Sequence, residues 1–321
     1  MEPTSKIWMD GELVDWGDAT VHVGSHALHY GSGVFEGIRA YETSRGPAVF
    51  RLTDHMRRLH RSARLVHMAI PYSVEELVEA THSLVRANGL ASVYIRPIAF
   101  YGYGTLGVRP GTNPVNVAII SWPWGAYLGP EALEKGIRAK ISSWRRVGPN
   151  TIPHAAKATG VYLNSMLAVM EAARAGYDEA ILLTEDGHVG DGSGENVFVV
   201  KSGVLHTPDL AASILPGLTR STVVAIAETL GHEVRETALI RTDLYGADEV
   251  FMTGTAAEVT PIRSIDDIEI GGPGQVTRDI QRAYLDLVAG RDGRWPEWLE
   301  YSALDASPGS GEGRSPVEAD A

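Results

Sequence analysis

A chain of 321 residues is longer than one ordinary compact core, so two domains are expected. Its composition, 44% hydrophobic and 21% charged, belongs to a globular chain with a large core, and no run approaches the ~20 apolar residues of a membrane span. A net charge of −12 with scattered basic residues argues against nucleic acid as a partner, and zero cysteines exclude disulfides and thiolate metal sites. The opening MEPTSKIWMD lacks the basic and apolar regions of a secretory signal, which with the missing cysteines leads us to expect a cytoplasmic protein.

In chain order, Lys6–Met9, Val21–Val23 and Gly33–Glu42 read as strands, the third turning at TSRGP into Ala48–Leu52. Thr53 or Asp54 can cap a helix that puts Met56, Leu59, Ala63 and Val66 on one face. A capping box, Ser73 with Glu76, opens a second helix that stops at Gly89. Strands Val93–Phe100 and Val115–Trp122 complete a first domain, 1–122, and Pro123–Pro130 reads as a linker. The second domain, 131–301, opens with strand Ile137–Trp144. A helix after Gly160 presents Tyr162, Met166, Val169 and Ala173. Strands Glu179–Thr184 and Val197–Val200, a helix from Thr219 to Gly231, strand Glu249–Met252 and a helix between Gln275 and Gly290 follow. Residues 302–321, rich in Ser, Gly, Pro and acid, read as a disordered tail.

Two patterns mislead. Gly102, Gly104 and Gly107 fit G-x-G-x-x-G, but Arg109-Pro110-Gly111 follows, where a dinucleotide fingerprint needs a helix to begin. His22, His26 and His29 have no metal-ligand spacing and fit a half-exposed strand better.

The chain has five lysines, and four sit in polar or terminal settings that suit a solvated charge. Lys157, in Pro153-His154-Ala155-Ala156-Lys157-Ala158-Thr159-Gly160, has alanines on both sides that admit a flat ring, although alone it does not differ from a surface lysine. A Schiff-base lysine serving pyridoxal 5'-phosphate also needs a phosphate cradle, a hydroxyl, an acid for the pyridine nitrogen and a substrate pocket. Leu215–Arg220 opens a helix and offers free amides with the Thr219 hydroxyl, and Gly254-Thr255-Ala256-Ala257 offers a second group of amides, although each alone fits an ordinary helix start or turn better.

These segments, with SHALHYGSGVFEGIR (25–39), HMRRLH (55–60), YIRP (94–97), PWGAYLG (123–129), NTIPHAAKATGVYLNS (150–165), GSGENVF (192–198) and DEVFMTGTAAEVTP (248–261), stand in order along almost the whole chain. The chain thereby resembles the branched-chain amino acid aminotransferases, PLP enzymes of fold type IV with a two-domain mixed α/β fold like that of D-amino acid aminotransferase. The resemblance implies ping-pong transamination between leucine, isoleucine or valine and 2-oxoglutarate by a homodimer or higher oligomer. Lys157 is implied as Schiff base and proton carrier, and Tyr162 as partner of the ring O3′. Arg58, Leu218, Thr219 and Thr255 would hold the phosphate. Ala256, Ala257 and Tyr94 would take the α-carboxylate, and Tyr30, Phe35, Gly37, Trp124 and Tyr127 the side chain. Leu106 and Val108 would come from a neighbouring subunit, and Arg39 and Arg96 would meet the distal carboxylate of glutamate. D-amino acid aminotransferases, aminodeoxychorismate lyases and a silent binding protein on this scaffold are the alternatives.

One position departs from the family. Where its members carry glutamate for the pyridine nitrogen, this chain has Asp191, shorter by about one C–C bond, roughly 1–1.5 Å. A shift of the loop, a bridging water, or Glu195 taking the role would close the gap. The unbroken motif register favours Asp191 with a shifted loop. Without any cofactor, Asp191 would serve only the turn at Gly190–Gly194.

Overall fold

The computed structural model describes residues 2–125 and 129–302. Residues 126–128 of the expected linker and 303–321 of the expected tail lie outside them. Among the described residues two sheets form. The first runs in the order Leu299–Tyr301, Gly46–Phe50, Ile38–Thr43, Val93–Tyr101, Val115–Pro123, Lys6–Met9, Glu12–Asp15, with Gly33–Phe35 also on Val93–Tyr101, and its pairings are antiparallel. The second runs Val189–Gly192, Glu179–Leu183, Ile137–Arg145, Glu258–Ile265, Glu249–Gly254, Asn196–Lys201, Val204–Thr207, Val234–Glu236. Its pairings are mixed, with Ile137–Arg145 parallel to both of its neighbours. The helices are α1 (His26–Tyr30), α2 (Leu52–Leu65), α3 (Val74–Asn88), α4 (Pro130–Lys135), α5 (Tyr162–Arg174), α6 (Leu218–Thr229), α7 (Arg241–Tyr245) and α8 (Gln275–Val288). None is long and apolar enough to cross a membrane.

The helices α2 and α3 cover the first sheet because Met56, Leu59, Ala63, Leu77 and Leu84 recur at helical spacing and bury against Ile38, Val93 and Ile95. Ser73 and Glu76 form the capping box, and Gly89 ends α3 in the left-handed region. A second cluster joins the two sheets: Tyr41, Ala48 and Phe50 of the first pack with Phe198, Phe251, Val223, Ile226, Ile280 and Tyr284 of the second sheet and its helices.

Several elements differ from their sequence reading, each for a tertiary reason. Val21–Val23 is not a strand: among the described residues no strand pairs with it, and the His29 ring bonds the Val23 carbonyl at 3.0 Å. The run Gly33–Glu42 breaks at Glu36–Gly37, where the Glu36 side chain turns into a buried charge cluster. The N-cap of α2 is Arg51, at φ +54°, because Glu300 binds the N–H and hydroxyl of Thr53 at 2.7 and 2.6 Å from across the fold. The buried face of α5 is Ser165, Ala168 and Ala172, whose small side chains let the helix lie close on the second sheet, while Met166 faces outward. Leu299–Tyr301, read as part of the second domain, pairs with Gly46–Phe50 of the first sheet, and Ser302, read as tail, is buried and bonded to His82 at 2.8 Å.

Candidate active site

The Lys157 segment lies between the sheets. Its carbonyl accepts from Phe35 N–H (3.0 Å), its N–H donates to Ser62 Oγ (3.0 Å) on α2, and Ala158 bridges to Val34. These contacts with the first sheet and with α2 fix the backbone that carries the amine. Lys157 Nζ is 2.8 Å from the Tyr162 hydroxyl and about 5 Å above the rings of Phe35 (5.2 Å) and Tyr162 (5.2 Å). It opens onto a cleft that Arg146, Asp191, Glu195 and Leu215 also line.

On one side of this lysine is an anion cradle. Gly217 caps α6 without any side-chain acceptor, and the first helical bond runs from Ser221 N–H to Gly217 O. The N–H groups of Leu218, Thr219 and Arg220 therefore have no intrahelical partner. Arg58 reaches the same loop, donating to Pro216 O at 3.0 Å. Its guanidinium is aimed by Glu36, which it grips through Nε and Nη2 at 2.7 Å each, and two of its five N–H donors meet no acceptor among the described residues. Glu36 is fully buried, yet Arg58 and His55 hold its carboxyl far below the usual range despite that burial. Burial in turn keeps His55 below its ordinary value and so neutral at pH 7. Thr255, Ala256 and Ala257 form the turn between two antiparallel strands, and the N–H groups of Ala256 and Ala257 meet no acceptor among the described residues.

The far end of the cleft is acidic. Arg146 donates from Nε (2.6 Å) and from Nη2 to Oδ1 of Asp191, and it also reaches Ser165 Oγ (3.1 Å) and Gly192 O (2.6 Å). Only Leu215 N–H, at 3.3 Å, approaches Oδ2 among the described residues. Burial pushes the Asp191 carboxyl upward and Arg146 opposes it. Because an arginine does not release its proton, two guanidinium N–H groups on one carboxylate oxygen keep Asp191 ionised. Glu195 lines the same cleft, and no cation among the described residues is bonded to it.

The remaining expected residues divide. Gly37 has no side chain because the Tyr94 hydroxyl stands 2.1 Å from where its Cβ would be. Tyr94 packs on Trp122 and Trp124 and accepts from Arg96 at 3.2 Å, and the Arg96 guanidinium lies 4.8 Å over Phe35. Those residues come together beside Lys157. Arg39 does not join them as a free cation. It pairs with Glu258 at 2.9 Å and stacks on Tyr41, so its charge is already compensated inside the protein. Tyr30 is 44% exposed and holds the Leu106 carbonyl at 3.3 Å, while Leu106 (50%) and Val108 (85%) are exposed. Tyr127 lies outside the described residues. No helix follows Gly107, and Asn113 and Asn116 fill the space beside Gly104 and Gly102. His26 is buried, with ring nitrogens 2.7 Å from Ser32 Oγ and 2.7 Å from Gly107 O, rather than on a strand.

Sequence reasoning passed over Arg146, Glu36 and Ser62. Arg146 sat in an arginine-rich strand with nothing to tell it from its neighbours. Glu36 carried a weak signal, a carboxylate inside an apolar run directly before an obligatory glycine. Ser62 carried none.

Comparison with known proteins agrees with this geometry. Residues 33–265 match the model of the amino-transferase class IV family. The chain is 52% identical over 298 residues to the branched-chain-amino-acid aminotransferase of Escherichia coli (strain K12), covering 92% of this chain and 96% of that one. Two crystal structures of branched-chain aminotransferases superpose closely. One, from the thermophilic archaeon Thermoproteus uzoniensis with norvaline, has a TM-score of 0.90 at 46% identity and covers 94% of this chain and 100% of that one. The other, from Thermobaculum terrenum in its PLP form, has a TM-score of 0.89 at 39% identity over 94% and 100%.

Proposed function

The chain belongs to the class IV aminotransferases, among the branched-chain-amino-acid enzymes, and from that premise we propose that it moves the amino group of leucine, isoleucine or valine to 2-oxoglutarate in two half-reactions. The observation that supports this most is the placement of the Lys157–Tyr162 pair between an uncapped helix start with Arg58 and a buried carboxylate clamped by Arg146. That donor set fits pyridoxal 5'-phosphate: Arg58, Leu218, Thr219 and Thr255 for its phosphate, Tyr162 for its hydroxyl, Asp191 for its ring nitrogen. When bound, the cofactor supplies an electron sink that weakens the amino acid's α-C–H bond. Lys157 Nζ takes that proton and later returns it, and the Tyr162 hydroxyl orients Nζ for both transfers. Asp191 maintains a negative charge where the ring nitrogen must stay protonated.

The N–H groups of Ala256 and Ala257 and the Tyr94 hydroxyl hold the α-carboxylate. An aliphatic side chain packs against Phe35, Tyr30 and Trp124, beside Gly37, whose missing side chain makes room for the Tyr94 hydroxyl. Arg96, stacked on Phe35, receives the distal carboxylate of glutamate, a role that Arg39 gives up to Glu258. Leu106 and Val108 cover the cleft of a neighbouring subunit in a homodimer or larger assembly. Supporting this, Val21, Val23, Leu28, Tyr103, Leu106 and Val108 are all exposed around one loop cluster. We place the enzyme in the cytoplasm. A panel of amino donors and keto acceptors, with light scattering for the assembly, tests the reading. Lys157→Ala is expected to abolish turnover, and substantial transamination by that variant without added amine would overturn it.

A further inference from the structure

The anion cradle is assembled from two helices, with Arg58 on α2 and the free amides at the start of α6. Arg51, the residue that caps α2, reaches from the first helix to the second. Its Nη1 donates to Leu218 O at 3.1 Å, to Ser221 Oγ at 2.9 Å and to Thr222 Oγ1 at 3.1 Å. Both hydroxyls in turn donate to Leu218 O, at 2.9 Å each. The rest of the guanidinium is committed to its own helix: Nε and Nη2 each lie 2.8 Å from Asp54 Oδ2. The group also stacks on Trp298, 4.7 Å from the ring centroid, and the side chain is only 11% exposed. The backbone is held as firmly. Arg51 sits at φ +54°, a left-handed conformation that costs energy for any residue but glycine, with its N–H on Trp298 O at 2.7 Å.

The Leu218 carbonyl belongs to the same planar peptide as the Thr219 N–H, and the two point in opposite directions. Fixing the carbonyl therefore fixes the direction in which the Thr219 N–H enters the cradle. A guanidinium and two hydroxyls converging on that oxygen also polarise the peptide, which makes its N–H a stronger donor to an anion. We propose that Arg51 is a positioning residue for the phosphate group of the cofactor. It aims and polarises the Leu218–Thr219 peptide and keeps the start of α6 in register with Arg58, which stands about two turns further along α2. Asp54 compensates its charge, so Arg51 contributes aim rather than net attraction. A lysine, with a single point of donation, does not span Asp54 and α6 together. That the anion is the phosphate of pyridoxal 5'-phosphate rests on the function proposed above; the aiming of the amides does not.

Fluorescence titration of the enzyme stripped of cofactor tests this, with pyridoxal 5'-phosphate, inorganic phosphate and pyridoxal as probes, because pyridoxal lacks the phosphate. In Arg51→Met the Kd for pyridoxal 5'-phosphate and for inorganic phosphate is expected to rise by about tenfold or more, the scale of one charge-assisted hydrogen bond, while that for pyridoxal holds. The phosphorus NMR resonance of the loaded enzyme should shift in the same variant. Arg51→Lys, which keeps the charge but not the fork, should show the same selective loss, and it provides the answer if Arg51→Met does not fold. Unchanged affinity for both phosphate probes in either folded variant overturns the proposal. Equal weakening of pyridoxal does so too, since Arg51 would then be a general clasp between helices, as does a wild-type protein that binds neither phosphate probe. Selective loss of phosphate binding in a protein that does not transaminate would keep the role of Arg51 and reject the proposed function.

Discussion

Glu36 and Glu195 are the same residue type, both buried beside one cleft, and they are driven in opposite directions. Glu36 meets Arg58 through two 2.7 Å bonds, with His55 at 2.7 Å, and stays ionised. Glu195 meets a backbone N–H and no cation among the described residues, and burial favours its protonated form. Burial alone raises any carboxyl, so the presence of a dedicated cation decides the outcome. The consequence for the site is a division of labour. The cradle end needs a fixed guanidinium, which a permanent anion secures. At the acid end, Asp191 is the carboxylate that a guanidinium holds.

Removing the dedicated anion is the strongest way to break this contrast. Glu36→Gln leaves Arg58 buried without its partner, and loss of roughly 3–5 kcal/mol in urea unfolding is expected, with weaker cofactor binding. A loss as small as that of Glu195→Gln would mean the two sites do not differ as described. Next is Asp191→Asn, which should lower kcat by about 10²-fold or more while cofactor stays bound, on the scale of losing one preorganised electrostatic partner. Asp191→Glu should remain active. If Asp191→Asn is nearly normal and Glu195→Gln inactive, the ring-nitrogen acid has been assigned to the wrong residue. Arg96→Met is expected to raise KM for glutamate and 2-oxoglutarate by about 2 kcal/mol or more and largely spare leucine. Equal damage to both substrates would give Arg96 a structural role instead.

The smallest effect concerns pH. The Glu36 carboxyl lies below its ordinary value of 4.5 in the folded protein, so its stabilisation is present above that value and is lost only in strong acid. The Glu195 carboxyl lies above that value, so its stabilisation is complete below about 4.5 and is lost as pH rises through about 8. Thermal unfolding of Glu195→Gln should therefore lose less stability than wild type between pH 5 and 9. Parallel curves for the two proteins would remove the contrast.

Much of this was open to reading in one dimension. Helices α2 and α3 and the strands Val93–Tyr101 and Val115–Pro123 follow from apolar spacing and from Ser73, Glu76 and Gly89, because such signals act within a few residues of the chain. Lys157 and the Gly217–Thr219 helix start stood out as candidates because their chemistry needs particular residue types close together, while Tyr162 was expected only through the resemblance to the family. The α2 cap was not, since Glu300 comes to Thr53 from 247 positions away. Nor was the outward side of α5, where size complementarity to the second sheet outweighed hydrophobicity.

The sequence by itself determined which side chains can do chemistry here: one lysine among alanines, an aspartate in a glycine-rich turn, and arginines at Arg58 and Arg96. Tertiary structure alone decided their charge states and orientations. Arg146 and Asp191 are 45 positions apart, Arg58 and Glu36 are 22, and Arg39 meets Glu258 across the two sheets. A carboxyl's ionisation depends on burial and on cations within a few ångströms, distances that only the folded chain fixes.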